Sequence, residues 1–117
     1  MEITQLGKAL DKKKYIIDKK SKSFSTTEDN LVLDFSDEYG WVFKTGSDCT
    51  FDTGSDCTFD TGSDCTFDTG YGCTFNTGSN CVAVRRDIYE VIEIPEGKKI
   101  KINEYGTKGW KEAEKWK

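Results

Sequence analysis

Residues 45–68 read "TGSDCTFDTGSDCTFDTGSDCTFD", one octapeptide written three times without a change. Two looser copies follow, "TGYGCTFN" at 69–76 and "TGSNCVAV" at 77–84. Set in the same register, the pattern reaches further. "DNLVLDFS" (29–36) puts Leu33 and Phe35 at the Cys and Phe positions, and "DEYGWVFK" (37–44) puts Trp41 and Phe43 there. "RRDIYEVI" (85–92) offers Tyr89 and Val91, which makes eight octads over residues 29–92. Such periodicity is the signature of a repeat architecture.

Each octad holds one short alternating run: Cys57 and Phe59 point one way, Thr58 the other. Each also holds a break such as Thr53-Gly54-Ser55, where glycine permits a tight or left-handed turn. Eight residues cannot encircle a packed interior, because two strands and two corners are the minimum. Two octads therefore make one coil. The expected fold is mainly β, a two-sided β-solenoid of about four 16-residue coils. Its core is built from Cys49, Phe51, Cys57, Phe59, Cys65, Phe67, Cys73, Phe75 and Cys81. Reversal of direction between the walls is expected to set small Cys against large Phe, with rings stacked along the axis at about 4.8 Å. A sheet of eight-residue hairpin strands is the rival, disfavoured by a glycine in every unit.

The five cysteines recur every eight residues, which places Cys49, Cys65 and Cys81 on one ladder and Cys57 and Cys73 on the other. Side chains on stacked strands run parallel, which is poor geometry for a disulfide. The thiols are expected to be free and buried. Zinc sites want cysteines two to four residues apart, so no metal or cofactor is expected here.

Net charge is −4 and unevenly placed. Residues 1–22 carry seven lysines against three acids, residues 28–84 carry eleven acids against Lys44 alone, and residues 85–117 carry nine bases against seven acids. An acidic middle argues against direct nucleic-acid binding and for a basic protein partner. Asp48, Asp52, Asp56, Asp60, Asp64 and Asp68 are the candidate contact residues, stacked in rows on the outer surface. Three other readings of these rows stand beside it. A solvated surface needs no ligand. The glycine-aspartate calcium rolls have a nine-residue period and a double glycine, both missing here. Ice binding wants flat threonine arrays without a charged rim.

The ends need caps. The chain divides into an N-terminal cap or arm (1–28), the octad solenoid (29–84) and a C-terminal cap and tail (85–117). "TQLGKALDKKK" is expected to form a short helix and "KYIID" a strand. "DIYEVIEI", "PEG" and "KKIKINEY" together predict a β-hairpin cap turning at Pro95–Gly97. Trp110 and Trp116 in the tail are candidate binding anchors. A homodimer through the caps is a further expectation. Histidine is absent, no cysteine has a base partner and no glycine loop suits phosphate, so the chain is not expected to be an enzyme. No apolar run approaches a membrane span and no signal peptide is evident, so a cytoplasmic site and no membrane partner are expected.

The "TG-x-x-C-T-F-[DN]" octads followed by "CVAVRRDIYEVIEIPEGKKIKINEYGTKGW" resemble a family of small proteins from bacteriophages and Firmicute prophages. The resemblance covers roughly residues 45–110 and implies a cap starting near Arg85-Arg86-Asp87. It implies no settled function. With the charge pattern it leads to one functional expectation: a non-catalytic phage protein that binds and inhibits a host protein with a basic, nucleic-acid-binding surface, in the manner of anti-CRISPR or DNA-mimic inhibitors. The alternative is a structural spacer or oligomerisation module of a virion or surface protein.

Overall fold

The structure, a computed structural model, describes residues 2–113. It is a β-solenoid of about four coils whose walls are two seven-stranded sheets. Four strands in each wall are parallel rungs of the coil. Wall A carries β5 (Leu31–Phe35), β7 (Thr50–Thr53), β9 (Thr66–Thr69) and β11 (Cys81–Arg85). Wall B carries β4 (Ser23–Ser25), β6 (Val42–Lys44), β8 (Thr58–Asp60) and β10 (Thr74–Asn76). Phe51 pairs with Phe67 on one wall and Phe59 with Phe75 on the other, so the register repeats every second octad.

The inward face of each octad has three residues, not two. In Cys49-x-Phe51-x-Thr53 all three are buried, and the same triplet recurs in the next copies. The threonines do not belong to the break. Thr53 and Thr69 are fully buried, and each Oγ1 donates to the carbonyl of the following glycine, at 3.3 and 3.1 Å. A third inward position changes the packing across the tube. When a three-residue row is reversed, the middle residue meets its own kind. Phenylalanine therefore faces phenylalanine rather than cysteine, contrary to the expected Cys–Phe alternation. Phe51–Phe59 and Phe59–Phe67 meet edge-on or tilted at 5.1 and 4.8 Å. Along each wall the rings stack nearly parallel, Phe51–Phe67 at 4.9 Å and Phe59–Phe75 at 5.1 Å. This herringbone is the arrangement that aromatic quadrupoles favour, worth about 0.5–1.5 kcal/mol per pair beyond burial.

The first octad is displaced from the expected register. Leu33 pairs with Phe51 and Phe35 with Thr53, so Leu31, Leu33 and Phe35 take the Cys, Phe and Thr places. Leu33 lies eighteen residues before Phe51, and the extra pair is absorbed in the corner between Phe35 and Trp41. The parallel ladder also starts before residue 29: Phe24 pairs with Phe43, and its ring sits 6.3 Å away. The eighth octad is not a rung. The chain turns through Arg86–Tyr89 and comes back antiparallel as β12 (Glu90–Ile94), leaving Tyr89 and Val91 exposed.

Both ends close with antiparallel strands. At the N-terminal pole, β1 (Glu2–Gln5) lies on β5, with β2 (Lys8–Ala9) beyond it, and β3 (Ile16–Asp18) lies on β4. The expected helix there is instead a β-turn at Leu6-Gly7, both at positive φ, and one 3-10 turn at Lys12–Lys14 capped by Asp11. The expected Pro95 hairpin does not form. β12 stays on wall A, whereas β13 (Lys99–Ile102) crosses to wall B and pairs with β10, then with β14 (Trp110–Glu112). Ile92 and Ile94 face Ile100 and Ile102 across the core rather than along one sheet. Alternation alone reads the same in both cases.

Candidate docking surface

The six candidate aspartates come from two positions of the octad, and the fold sends them to four separate lines. Asp48, Asp56 and Asp64 sit at the corners at φ 58–59°, in the left-handed region. The same slot is filled by Asn30, Gly40, Gly72 and Asn80, so each corner uses one of the residue types that tolerate this conformation. The slot's amide bonds to the corner one coil on: Asp48 N to Ser63 O at 2.9 Å and Asp64 N to Ser79 O at 2.8 Å. Asn30, Asp48, Asp64 and Asn80 thus stack along one narrow edge, and Gly40, Asp56 and Gly72 along the other.

The octad glycine has a different role from the expected left-handed turn. Gly46, Gly54, Gly62, Gly70 and Gly78 all lack positive φ. A Cβ on Gly54 would stand 2.4 Å from the Glu38 carbonyl oxygen, and one on Gly62 would stand 2.2 Å from Ser47 Oγ. Glycine is required because the neighbouring corner occupies the space of a side chain. On the Asp48 edge this closeness builds a serine ladder. Asp29 accepts from Ser47 N at 2.7 Å, Ser47 Oγ from Ser63 N at 3.0 Å, and Ser63 Oγ from Ser79 N at 3.0 Å.

Asp52 and Asp68 lie one above the other on the outside of wall A, beside Asp34. They are not bare. Arg86, in the turn after β11, folds back over the wall, with Nη1 2.5 Å from Asp52 and 3.3 Å from Asp68, and also reaches the Thr53 carbonyl. Asp60 on wall B lies between Lys44 and Asn76. Among the described residues, Glu28, Asp29, Asp48 and Asp64 share one edge and none of them takes part in an ion pair. Stacked carboxylates about 4.8 Å apart raise the local field toward cations.

Arg85 is the residue that the sequence reading missed. It takes the inward threonine place opposite Thr69 and is fully buried. Asp87 binds it through two oxygens at 2.6 and 3.1 Å, Glu90 lies 3.6 Å away, and the carbonyls of Glu104 and Thr107 accept from it. Burial pushes the Asp87 carboxyl up, but the Arg85 guanidinium and the Gly106 amide outweigh it and hold the group below the usual range. This cluster fixes the 103–109 loop to the end of the tube. The only signal for it in the sequence was a charged residue in phase with the inward threonines.

The cysteines form the expected ladders, free and buried. Their thiols donate to corner carbonyls, as Cys49 does to Ser47 O at 3.4 Å and Cys81 to Gly62 O at 3.5 Å. The hydrogen bond to Cys57, then burial, pushes the Cys73 thiol up, and burial does the same to Cys81. Trp110 lies on β14 and is partly exposed; Trp116 lies outside the described residues.

Compared with protein-family models, curated proteins and solved structures, the chain matches none.

Proposed function

We propose that this chain is a non-catalytic binding module whose acidic edge docks a basic surface on a protein partner. A host protein that handles nucleic acid presents such a surface, so occupancy by the module would compete with DNA or RNA. One observation carries the reading: Asp48 and Asp64, with Glu28 and Asp29, share an edge, and among the described residues none of the four takes part in an ion pair. The core supports it, because packed rings and stacked corners hold the carboxylates in fixed places and reduce the ordering cost of binding. The reading differs from two full rows of six carboxylates, since Arg86 bridges Asp52 and Asp68.

The test is affinity capture from bacterial lysate, with identification of the captured protein and titration of the complex. Affinity should fall steeply between about 0.1 and 0.5 M salt, because exposed charges more than a Debye length apart are then screened. Asp48→Asn with Asp64→Asn should weaken it by about tenfold or more, and duplex DNA should displace the module. Binding that ignores both salt and the double substitution would overturn the reading.

A further inference from the structure

Each wall has seven strands, and the winding staggers the walls by half a coil. At the N-terminal pole wall A, ending on β2, stands proud of wall B, which ends on β3. At the C-terminal pole the order is reversed: wall B, ending on β14, stands proud of wall A, which ends on β12. The two poles are complementary steps. We propose that they dock on each other, so that copies of this chain associate head to tail along the solenoid axis.

A translation by seven rungs carries β2 of a second copy onto β12 and its β3 onto β14. The strand senses agree. β12 and β3 run against the parallel rungs, and β2 and β14 run with them, so both new pairs are antiparallel. Antiparallel pairing is the slightly more stable kind, and among the described residues nothing pairs with the outer edges of these strands.

The side chains agree too. A recess of 540 Å³ lies at the N-terminal pole, lined by Ile3, Lys12, Tyr15, Ile16, Ile17 and Lys19. It touches Ile16 and Ile17, which point to opposite faces of β3, so it runs along the strand's free edge. The residue brought there from the other pole is Trp110. It sits directly opposite buried Ile102 and so lies on the core-facing side of β14, and it is 39% exposed because β14 is the last strand on its wall among the described residues. Followed along the ladder, the translation sets Trp110 beside Lys19 of the second copy with Ile17 as its diagonal neighbour, so the indole reaches the apolar recess across the strand. Charge complements it. Lys111 falls on the column of Asp18 of the second copy, and Glu112, 3.6 Å from Lys98 in its own copy, falls on that of Ile17 with Lys19 diagonal to it. Such a contact is heterologous and does not close, so it builds linear oligomers rather than a fixed dimer.

Sedimentation velocity of the full chain from about 10 μM to about 1 mM tests this. The average mass should climb past the 13.2 kDa monomer without levelling at the dimer. Trp110→Ala and Ile17→Glu, which sets a carboxylate against Glu112, should each raise the concentration needed by about tenfold or more, with circular dichroism confirming the fold. Lys19→Glu gives a milder N-terminal variant that leaves the apolar floor intact and should weaken association in the same direction. Mixing is decisive. Trp110→Ala keeps a working N-terminal pole and Ile17→Glu a working C-terminal one, so the mixture should form dimers and stop where each alone stays monomeric. A wild-type chain monomeric throughout, or a dimer plateau that the mixture cannot restore, would overturn the proposal.

Discussion

Gly54→Ala separates stacked corners from any looser arrangement of the repeats. The new Cβ would stand 2.4 Å from the Glu38 carbonyl oxygen, about 1 Å inside ordinary contact, and the obstacle is backbone that cannot rotate away. The corner must shift, which strains the 2.8 Å bond from Gly54 N to that carbonyl. Overpacking costs about 1–3 kcal/mol and the weakened bond about 1 kcal/mol. Lower entropy of the unfolded chain returns about 0.4–1 kcal/mol. The net expectation is about 1–3.5 kcal/mol of destabilisation. Gly62→Ala has a softer obstacle, Ser47 Oγ at 2.2 Å with the nearest backbone atom at 3.1 Å. Ser47 can swing aside, and the loss is then its 3.0 Å bond from Ser63 N, about 1 kcal/mol. Ser47→Gly should therefore absorb most of the cost of Gly62→Ala, with a coupling energy of about 1 kcal/mol. Urea titrations followed by circular dichroism and tryptophan fluorescence measure each term, with constant m as the check that midpoints report stability. A Gly54→Ala protein within about 0.5 kcal/mol of wild type would refute the corner packing.

Three further outcomes follow from the geometry. Arg85→Ala should destabilise by about 3–5 kcal/mol, because it strands the nearly buried Asp87, and hydrogen exchange should show the 103–109 loop deprotected first. Asp64→Gly should leave the melting temperature unchanged or raised, whereas Asp64→Val should cost about 1–2 kcal/mol for a branched residue at φ 59°. Asp87 has a folded pKa below its ordinary 3.8, so its contribution is fully present above that value and is lost as pH falls through the folded one. The stability gap between wild type and Asp87→Asn should accordingly be constant near neutral pH and close in strong acid.

Much of this was written in the octads. A repeat of Cys, Phe and Asp every eight residues can bury its apolar atoms only if successive octads lie on opposite walls, and that argument needs no coordinates. The core residues and the two cysteine ladders follow from it. The corner slot is legible in hindsight, since Asp, Asn and Gly, the residues that tolerate a left-handed backbone, fill every copy of it. Other features were not legible. Alternation in "DIYEVIEI" and "KKIKINEY" marks an inward face without saying which strand lies alongside, so a hairpin and two opposed walls look alike.

By itself, then, the sequence determined the period, the two-sided tube and the residues that fill it, because these depend on local alternation and on repetition. Tertiary structure decided what meets across the tube and what is left outside it. A third inward residue, buried Thr53, turned Cys–Phe contacts into a Phe–Phe herringbone. A single arginine, thirty-four residues from Asp52 and eighteen from Asp68, reached back to quench two of the six aspartates. Both depend on distances between segments remote in the chain, and no local pattern encodes such distances.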